Sequence, residues 1–156
     1  MQIFPRTNVE GLSVSRMIMG TNWMLGLSHT GHAADVMIRE CFPTKESMLP
    51  MFDAYLQYGI DTIMGPVSQN RVMLDAIKLA EQKFGKGIIL IDTPIIDVSD
   101  HAQAYAAARQ TVKASGESGA KICLINHSSA EQLVNKNKQT IERLDDYTTM
   151  IRDAGM

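Results

Sequence analysis

The chain has 156 residues, of which 45% are hydrophobic and 21% are charged, and its formal net charge is −2. This size and composition are typical of one soluble globular domain with a substantial core. The balanced charge argues against a nucleic-acid or anionic-lipid partner, and the lack of an apolar run of roughly 20 residues argues against a membrane span.

The N-terminal sequence and the cysteines indicate a cellular location. Residues 1–6 lack the basic and then apolar order of a signal peptide. The two cysteines are Cys41 and Cys123, and Cys123 falls in an apolar segment where a buried thiol is expected rather than a disulfide or a nucleophile. Because free thiols suit a reducing compartment, the sequence predicts a cytoplasmic protein.

In chain order, a short apolar run, a polar turn and an amphipathic helix follow one another four times. Before the first repeat, residues 2–13 predict a short strand or a hairpin. The four predicted strands cover residues 16–21, 60–64, 88–91 and 121–125, and the main helices cover residues 44–58, 69–84, 100–114 and 138–154. Residues 33–40 predict one or two further helical turns.

Individual residues predict where these helices begin and end. Pro50 fits only near a helix start, because it lacks the N–H that the hydrogen-bond ladder needs. Ser68 and Ser99 are the expected N-caps of the second and third main helices. Gly59 and Gly85 are expected just past helix ends, where a left-handed backbone is common.

Strands that alternate with helices of this length predict right-handed crossovers and a parallel sheet. The sequence has neither a Gly-x-Gly-x-x-Gly after the first strand nor a phosphate-binding loop, which disfavours nucleotide-binding folds. We therefore predict an α/β fold with a single domain over residues 1–156. Residues 1–14 would form an N-terminal hairpin or cap, and residues 15–156 would form four βα units, the first half of a TIM (β/α)8 barrel.

Three segments resemble aldo/keto reductases. Residues 12–21, Leu-Ser-Val-Ser-Arg-Met-Ile-Met-Gly-Thr, are similar to the segment that forms the first barrel strand in that family. Tyr58-Gly59-Ile60 resembles the family's passage from a helix through a glycine into the second strand. Leu124-Ile125-Asn126-His127 resembles the end of its fourth strand.

This resemblance implies a TIM barrel whose site lies at the C-terminal ends of the strands. Of the family's catalytic Asp, Tyr, Lys and His, only the histidine is matched, by His127. The chain has Met64-Gly65-Pro66 where the aspartate is expected, no tyrosine in residues 67–71, and Asp92 or Thr93 in place of the lysine. NADP is a possible cofactor by resemblance only, because its usual site lies in later strand–loop units, so the cofactor is left unknown.

Two residues at strand ends are candidates for acid/base catalysis. His127 follows the fourth strand, and histidine can exchange a proton near neutral pH or hydrogen-bond a carbonyl. Asp92 follows the third strand and would point into the same opening as a general base. Both have structural alternatives, since His127 can bond to Asn126 or a backbone group and Asp92 can bond to N–H groups of its own turn.

Four further residues are the predicted substrate-binding set. Thr21, Asn22 and Trp23 end the first strand, and Asn126 ends the fourth. An amide beside an aromatic ring can orient and stack a ligand. Trp23 can instead cover the edge of the barrel.

The sequence also contains residues that ligate metals elsewhere. His29, His32 and Asp35 lie close together, and with Asp92 and His127 they would offer nitrogen and oxygen ligands. Because they follow no familiar ligand spacing, we predict no metal site.

Two functions are compatible with these observations. The first is an oxidoreductase-like enzyme that performs proton-transfer or carbonyl chemistry on a small metabolite. The second is a non-catalytic half-barrel, truncated or split, which forms a homo-oligomer or needs a C-terminal half. The end of the chain at Met156, where a fifth strand would begin, and the expected unpaired edges favour the second.

Overall fold

A computed structural model describes residues 3–156. In chain order, these residues form β1 Arg6–Val9, β2 Leu12–Ser15, β3 Met19–Gly20, α1 His32–Cys41, α2 Leu49–Leu56, β4 Thr62–Gly65, α3 Arg71–Phe84, β5 Ile89–Asp92, α4 Ala102–Glu117, β6 Ile122–Cys123, α5 His127–Ala130, β7 Val134–Asn135, β8 Thr140–Ile141 and α6 Leu144–Asp153. Within this part of the chain, none of the helices has the length and apolar composition that a membrane crossing requires.

Of the two forms predicted for residues 2–13, a short strand or a hairpin, the structure has the hairpin, β1–β2, and Gln2 lies outside the described residues. Its two-residue turn, Glu10-Gly11, has φ angles of +48° and +89°, the left-handed backbone that tight hairpin turns require. Ser15 and Thr62 join the hairpin to the start of β4, since each backbone N–H donates to the other residue's hydroxyl at 3.0 and 3.1 Å.

Asp61 lies at the same end of the sheet as these contacts. Its carboxylate forms an ion pair of 2.9 Å with Arg6 of the hairpin. This ion pair gives Asp61 a structural role at the junction of the hairpin and the sheet.

The central sheet has four parallel strands in chain order, β3-β4-β5-β6. Met19 is in register with Ile63, and Ile63 with Leu90. The fold is therefore α/β with a parallel sheet whose strands alternate with helices, as predicted. The two edge strands contain only two residues each.

The two faces of this sheet differ in burial. Met19, Ile63 and Leu90 lie on the face that α2 and α3 cover, in one core with Phe52 and Met73. By the alternation of side chains along a strand, the next residue of each strand faces the other way. On that opposite face, the apolar side chains Ile18, Met64 and Leu124 are 38%, 38% and 48% exposed, whereas Ile91 of β5 is only 6% exposed.

Several helix boundaries follow from local signals. Pro50 lies in the first turn of α2, and Gly59 and Gly85 adopt positive φ angles past α2 and α3. The extra helical turns predicted at residues 33–40 are present as α1.

The two predicted serine N-caps are wrong. Asn70 caps α3 by accepting from the N–H of Met73, and His101 caps α4 through its Nδ1 atom. Ser68 and Ser99 are held elsewhere, because the N–H of Ser68 donates to Asp92 and the hydroxyl of Ser99 donates to Asp97.

The last helix is shorter than the predicted 138–154. A second hairpin, β7–β8, occupies residues 134–141, and Gln139 lies in its turn with a φ of +53°. Glu142 fixes this hairpin by accepting from Asn135 at 2.8 Å and Lys138 at 3.1 Å. The helix therefore begins at Leu144.

A second core lies beneath α6. Tyr147, Met150 and Ile151 of α6 pack with Val112 of α4 and with Cys123 of β6. This packing fixes the last helix against the edge strand and leaves part of the opposite face of the sheet exposed.

Candidate functional site

A cavity of about 390 Å³ lies at the carboxyl ends of the four parallel strands. Its wall is contributed by the residues that follow each strand: Gly20, Thr21, Asn22, His29, Met64, Gly65, Pro66, Thr93, Leu124, Ile125, Asn126 and His127. Four of the predicted site residues, Thr21, Asn22, Asn126 and His127, are therefore brought together. Trp23 and Asp92 are not among the lining residues.

Thr21 and Gly65 bring the ends of β3 and β4 close together. Thr21 is buried, and a Cβ atom built on Gly65 would lie 1.8 Å from its Oγ1 atom. Only a residue without a side chain fits at position 65, so this glycine sets the spacing of the strands on one side of the cavity.

Asn22 and His29 form a polar pair on the cavity wall. The Asn22 Nδ2 atom lies 2.8 Å from His29 Nε2. Because an amide nitrogen can only donate, Nε2 accepts this hydrogen bond, and a neutral His29 carries its proton on Nδ1. A proton donor is therefore available at the other nitrogen of the ring.

The loop that carries His29 is tied to the start of α1. Asp35 accepts hydrogen bonds from the hydroxyl of Ser28 at 2.6 Å and from its backbone N–H at 2.7 Å. These two bonds, the hydroxyl first, hold the pKa of Asp35 below its usual value of 3.8. His29 itself has a φ of +58°, an uncommon conformation for a residue with a side chain.

Asn126 is a buried residue that shapes the cavity rather than one that is open to a ligand. Its Oδ1 atom caps α5 by accepting from the Ser128 N–H at 3.0 Å and from the Ser128 hydroxyl at 2.8 Å. Its Nδ2 atom donates to the Thr93 carbonyl at 3.3 Å. Both ends of the Asn126 side chain are therefore engaged within the protein, and its predicted role in substrate binding stays a prediction.

His127 follows this cap as the first residue of α5, and it is exposed on the cavity wall. A ligand in the cavity can reach its imidazole. The cavity therefore presents two histidines, His29 from the loop after β3 and His127 from the end of β6.

Asp92 does not stand in the cavity with His127, contrary to the prediction of an acid/base pair. Its side chain is fully buried, and Oδ1 accepts from the N–H groups of Val67 at 2.8 Å and Ser68 at 3.0 Å. Its Oδ2 atom has no hydrogen-bond partner among the described residues. Asp92 thus fixes the loop between β4 and α3. The sequence suggested that it would bond to N–H groups of its own turn, but its partners, Val67 and Ser68, belong to an earlier loop.

Trp23 and Cys123 stay outside the chemistry of the cavity. Trp23 is 59% exposed. Cys123 is buried, and burial raises the pKa of its thiol to about 11. The thiol is therefore protonated at neutral pH, in keeping with a structural role.

The residues considered as metal ligands do not converge. Within residues 3–156, no group of three His, Cys, Asp or Glu side chains is arranged to hold a metal ion. Asp35 is instead engaged by Ser28, and His29 by Asn22.

A second, larger cavity of about 490 Å³ lies between α4 and α6. Two basic residues, Arg109 and Lys113, and two acidic ones, Glu117 and Asp153, line it beside Met150. No histidine is among its lining residues, whereas His29 and His127 line the cavity at the strand ends.

Sequence reasoning missed His29 as a cavity residue, although it identified the loop. Its position in the loop after the first predicted strand could have identified it, because the loops that follow parallel strands meet at one end of the sheet. The comparisons with known proteins add no assignment: no protein-family model, curated protein or solved structure matches the chain.

Proposed function

We propose that the chain is half of a TIM (β/α)8 barrel, similar to aldo/keto reductases, which binds a small metabolite in the cavity at its strand ends. The observation that carries the proposal is the convergence of His29, His127 and Asn22 on one cavity at the carboxyl ends of parallel strands. In barrels of this kind, ligands bind at that end because the loops there converge.

The half-barrel is supported by the order of the strands. Parallel strands that neighbour one another in chain order, with the packed helices on one face, are the arrangement of a barrel wall. A doubly wound sheet instead reverses its strand order and carries helices on both faces.

The reaction class that best suits the cavity is proton transfer at a carbonyl compound. His127 would exchange the proton, and His29, oriented by Asn22, would donate a hydrogen bond to the carbonyl oxygen through Nδ1. Asp92 would act as a positioning residue, since it holds the loop behind Gly65 and Pro66. Hydride transfer by the usual reductase route is not expected without the family's tyrosine and lysine.

Histidine NMR tests the ligand site directly. The chain has four histidines, at positions 29, 32, 101 and 127, and only His29 and His127 line the cavity. Titration with small keto and hydroxy acids should shift the ring signals of these two and leave those of His32 and His101 in place. Unchanged signals throughout, or a shift confined to His32 or His101, would contradict the proposal.

A variant pair sharpens this test. His127→Gln should raise the Kd of a ligand found in the titration by about tenfold, the effect of losing one hydrogen bond of about 1.4 kcal/mol. His32→Gln, on α1 outside the cavity, should leave the Kd unchanged. Titration with NADPH, followed by nicotinamide fluorescence, examines the reductase alternative separately, and binding would restore NADP as a cofactor.

A further inference from the structure

The chain exposes more surface than a compact protein of its mass. A compact monomer of 17.3 kDa exposes about 7,800 Å², whereas this chain exposes 9409 Å². The excess is about 1,600 Å² per chain, or about 3,200 Å² for two chains, which is in the range of obligate dimer interfaces.

This extra surface includes apolar side chains on the uncovered face of the sheet. Ile18 directly precedes β3 and Leu124 directly follows β6, the two edge strands, and both side chains are more than a third exposed. Each edge also offers unpaired backbone groups to another parallel strand. The apolar face and the unpaired edges thus belong to one continuous surface.

We propose that two copies of the chain close one eight-stranded parallel barrel, in which β6 of each copy pairs with β3 of the other. A twofold axis along the barrel keeps all eight strands parallel and satisfies both edges at once. This inference rests on the half-barrel proposed above, but not on the ligand.

The geometry of a closed barrel fixes the register of the new pairing. A path perpendicular to the strands joins Gly20, Met64, Ile91 and Ile122 in turn. In a barrel with a shear of about 8 residues, a half circuit displaces this path by about four residues, toward the N-terminus for right-handed strand tilt. Ile122 then lies opposite Arg16 of the second copy, and Leu124 lies opposite Ile18.

This register is complementary in polarity. It places the exposed apolar side chains of Leu124 and Ile18 against each other inside the barrel. A second copy therefore meets each edge with an apolar neighbour.

Sedimentation equilibrium and native mass spectrometry test the assembly with the full chain. We expect a dimer of twice the 17.3 kDa chain mass. Ile18→Lys and Leu124→Glu should each convert it to a monomer, because each buries a charge without a partner. An equal mixture of the two variants should restore a mixed dimer, in which Lys at 18 of one chain faces Glu at 124 of the other.

Val72→Lys is the matched control, since Val72 is an exposed apolar residue of α3 that lies away from both edges. This variant should remain dimeric. Circular dichroism reports whether each variant is folded. If the single variants lose their fold, hydrogen exchange of the wild-type chain decides. Pairing should protect backbone N–H groups of residues 16–20 and 121–124 beyond those of Arg16, Lys121 and Leu124, which already donate within the chain.

Several outcomes would overturn the proposal: a wild-type monomer at every concentration, an open-ended aggregate, a dimer that both charged variants leave intact, or rapid exchange in both strand segments. A monomer that gains mass only with another protein would overturn it as well. A dimer whose histidine NMR signals do not shift with any carbonyl ligand would instead contradict the ligand site alone. The two proposals can therefore fail separately.

Discussion

Thr21 and Gly65 show how a single side chain sets the distance between two strands at the candidate site. The hydroxyl and methyl groups of Thr21 occupy the space where a side chain at position 65 would begin. Gly65 needs no unusual φ angle, so its role is steric rather than conformational. The cavity wall between β3 and β4 depends on this contact.

Gly65→Ala should therefore destabilise the protein, by about 1–3 kcal/mol, because the added methyl group overpacks a site that has no room for it. Chemical denaturation followed by circular dichroism measures the free energy of unfolding. Gly20→Ala is the matched control: a Cβ there meets nothing within 4 Å, and the change should be under about 0.5 kcal/mol. Equal losses for the two variants would contradict this account.

Asp92 stabilises a loop beside the candidate site through a buried carboxylate. A carboxylate at the end of a buried strand is costly when one of its oxygens finds no partner, as Oδ2 finds none within residues 3–156, unless the group stabilises something else. Here it satisfies two backbone N–H groups of the loop between β4 and α3. Asp92 thus holds the loop that follows β4 in place, and its own side chain does not line the cavity.

At the scale of elements, the loop between β3 and α1 determines where His29 lies. Ser28 joins this loop to the first turn of α1 through the carboxylate of Asp35. The ionised carboxylate accepts these bonds, whereas a protonated one accepts them less well. The geometry of the loop is therefore linked to the charge of Asp35.

Ser28→Ala should raise the pKa of Asp35 toward its usual value of 3.8, because the largest cause of the lowered pKa is the serine hydroxyl. Carboxyl NMR titration measures it, with Asp97, whose pKa Ser99 lowers, as the internal control. Since the folded pKa lies below the unfolded one, the stabilisation is present at neutral pH and is lost as the pH falls through the folded pKa. An unchanged Asp35 pKa in the variant would show that another contact lowers it.

At the scale of the whole molecule, the two faces of the central sheet are unequal. Helices and two apolar cores cover one face, while part of the other remains in contact with water. The β1–β2 hairpin covers only the end near Ser15 and Thr62. A second copy would bury the rest and would give the ligand cavity its opposite wall.

Thermal unfolding should then depend on protein concentration. For a dimer that unfolds to two chains, each tenfold rise in concentration should raise the Tm by about 2 °C. Calorimetry at several concentrations measures this dependence. The Leu124→Glu chain should have a Tm independent of concentration, and a wild-type Tm that does not move would contradict coupled folding and assembly.

The sequence by itself determined the features that depend on neighbours in the chain. The alternation of apolar runs and amphipathic helices predicted the parallel sheet, and Pro50, Gly59 and Gly85 marked helix boundaries correctly. These signals are local, because proline and glycine restrict or release the backbone wherever they occur. The residues that follow each strand could also be assigned to one end of the sheet.

Only the tertiary structure decided which partner each polar side chain takes. Ser68 and Ser99 resemble N-caps in sequence, yet Asn70 and His101 serve instead, and Asp92 bonds to N–H groups of a loop 24 and 25 residues earlier in the chain. The residues before Leu144 have a helical pattern but form a hairpin fixed by Glu142. Such choices depend on distances created by folding, so the chain order predicts the sheet, while packing decides which residues reach the cavity.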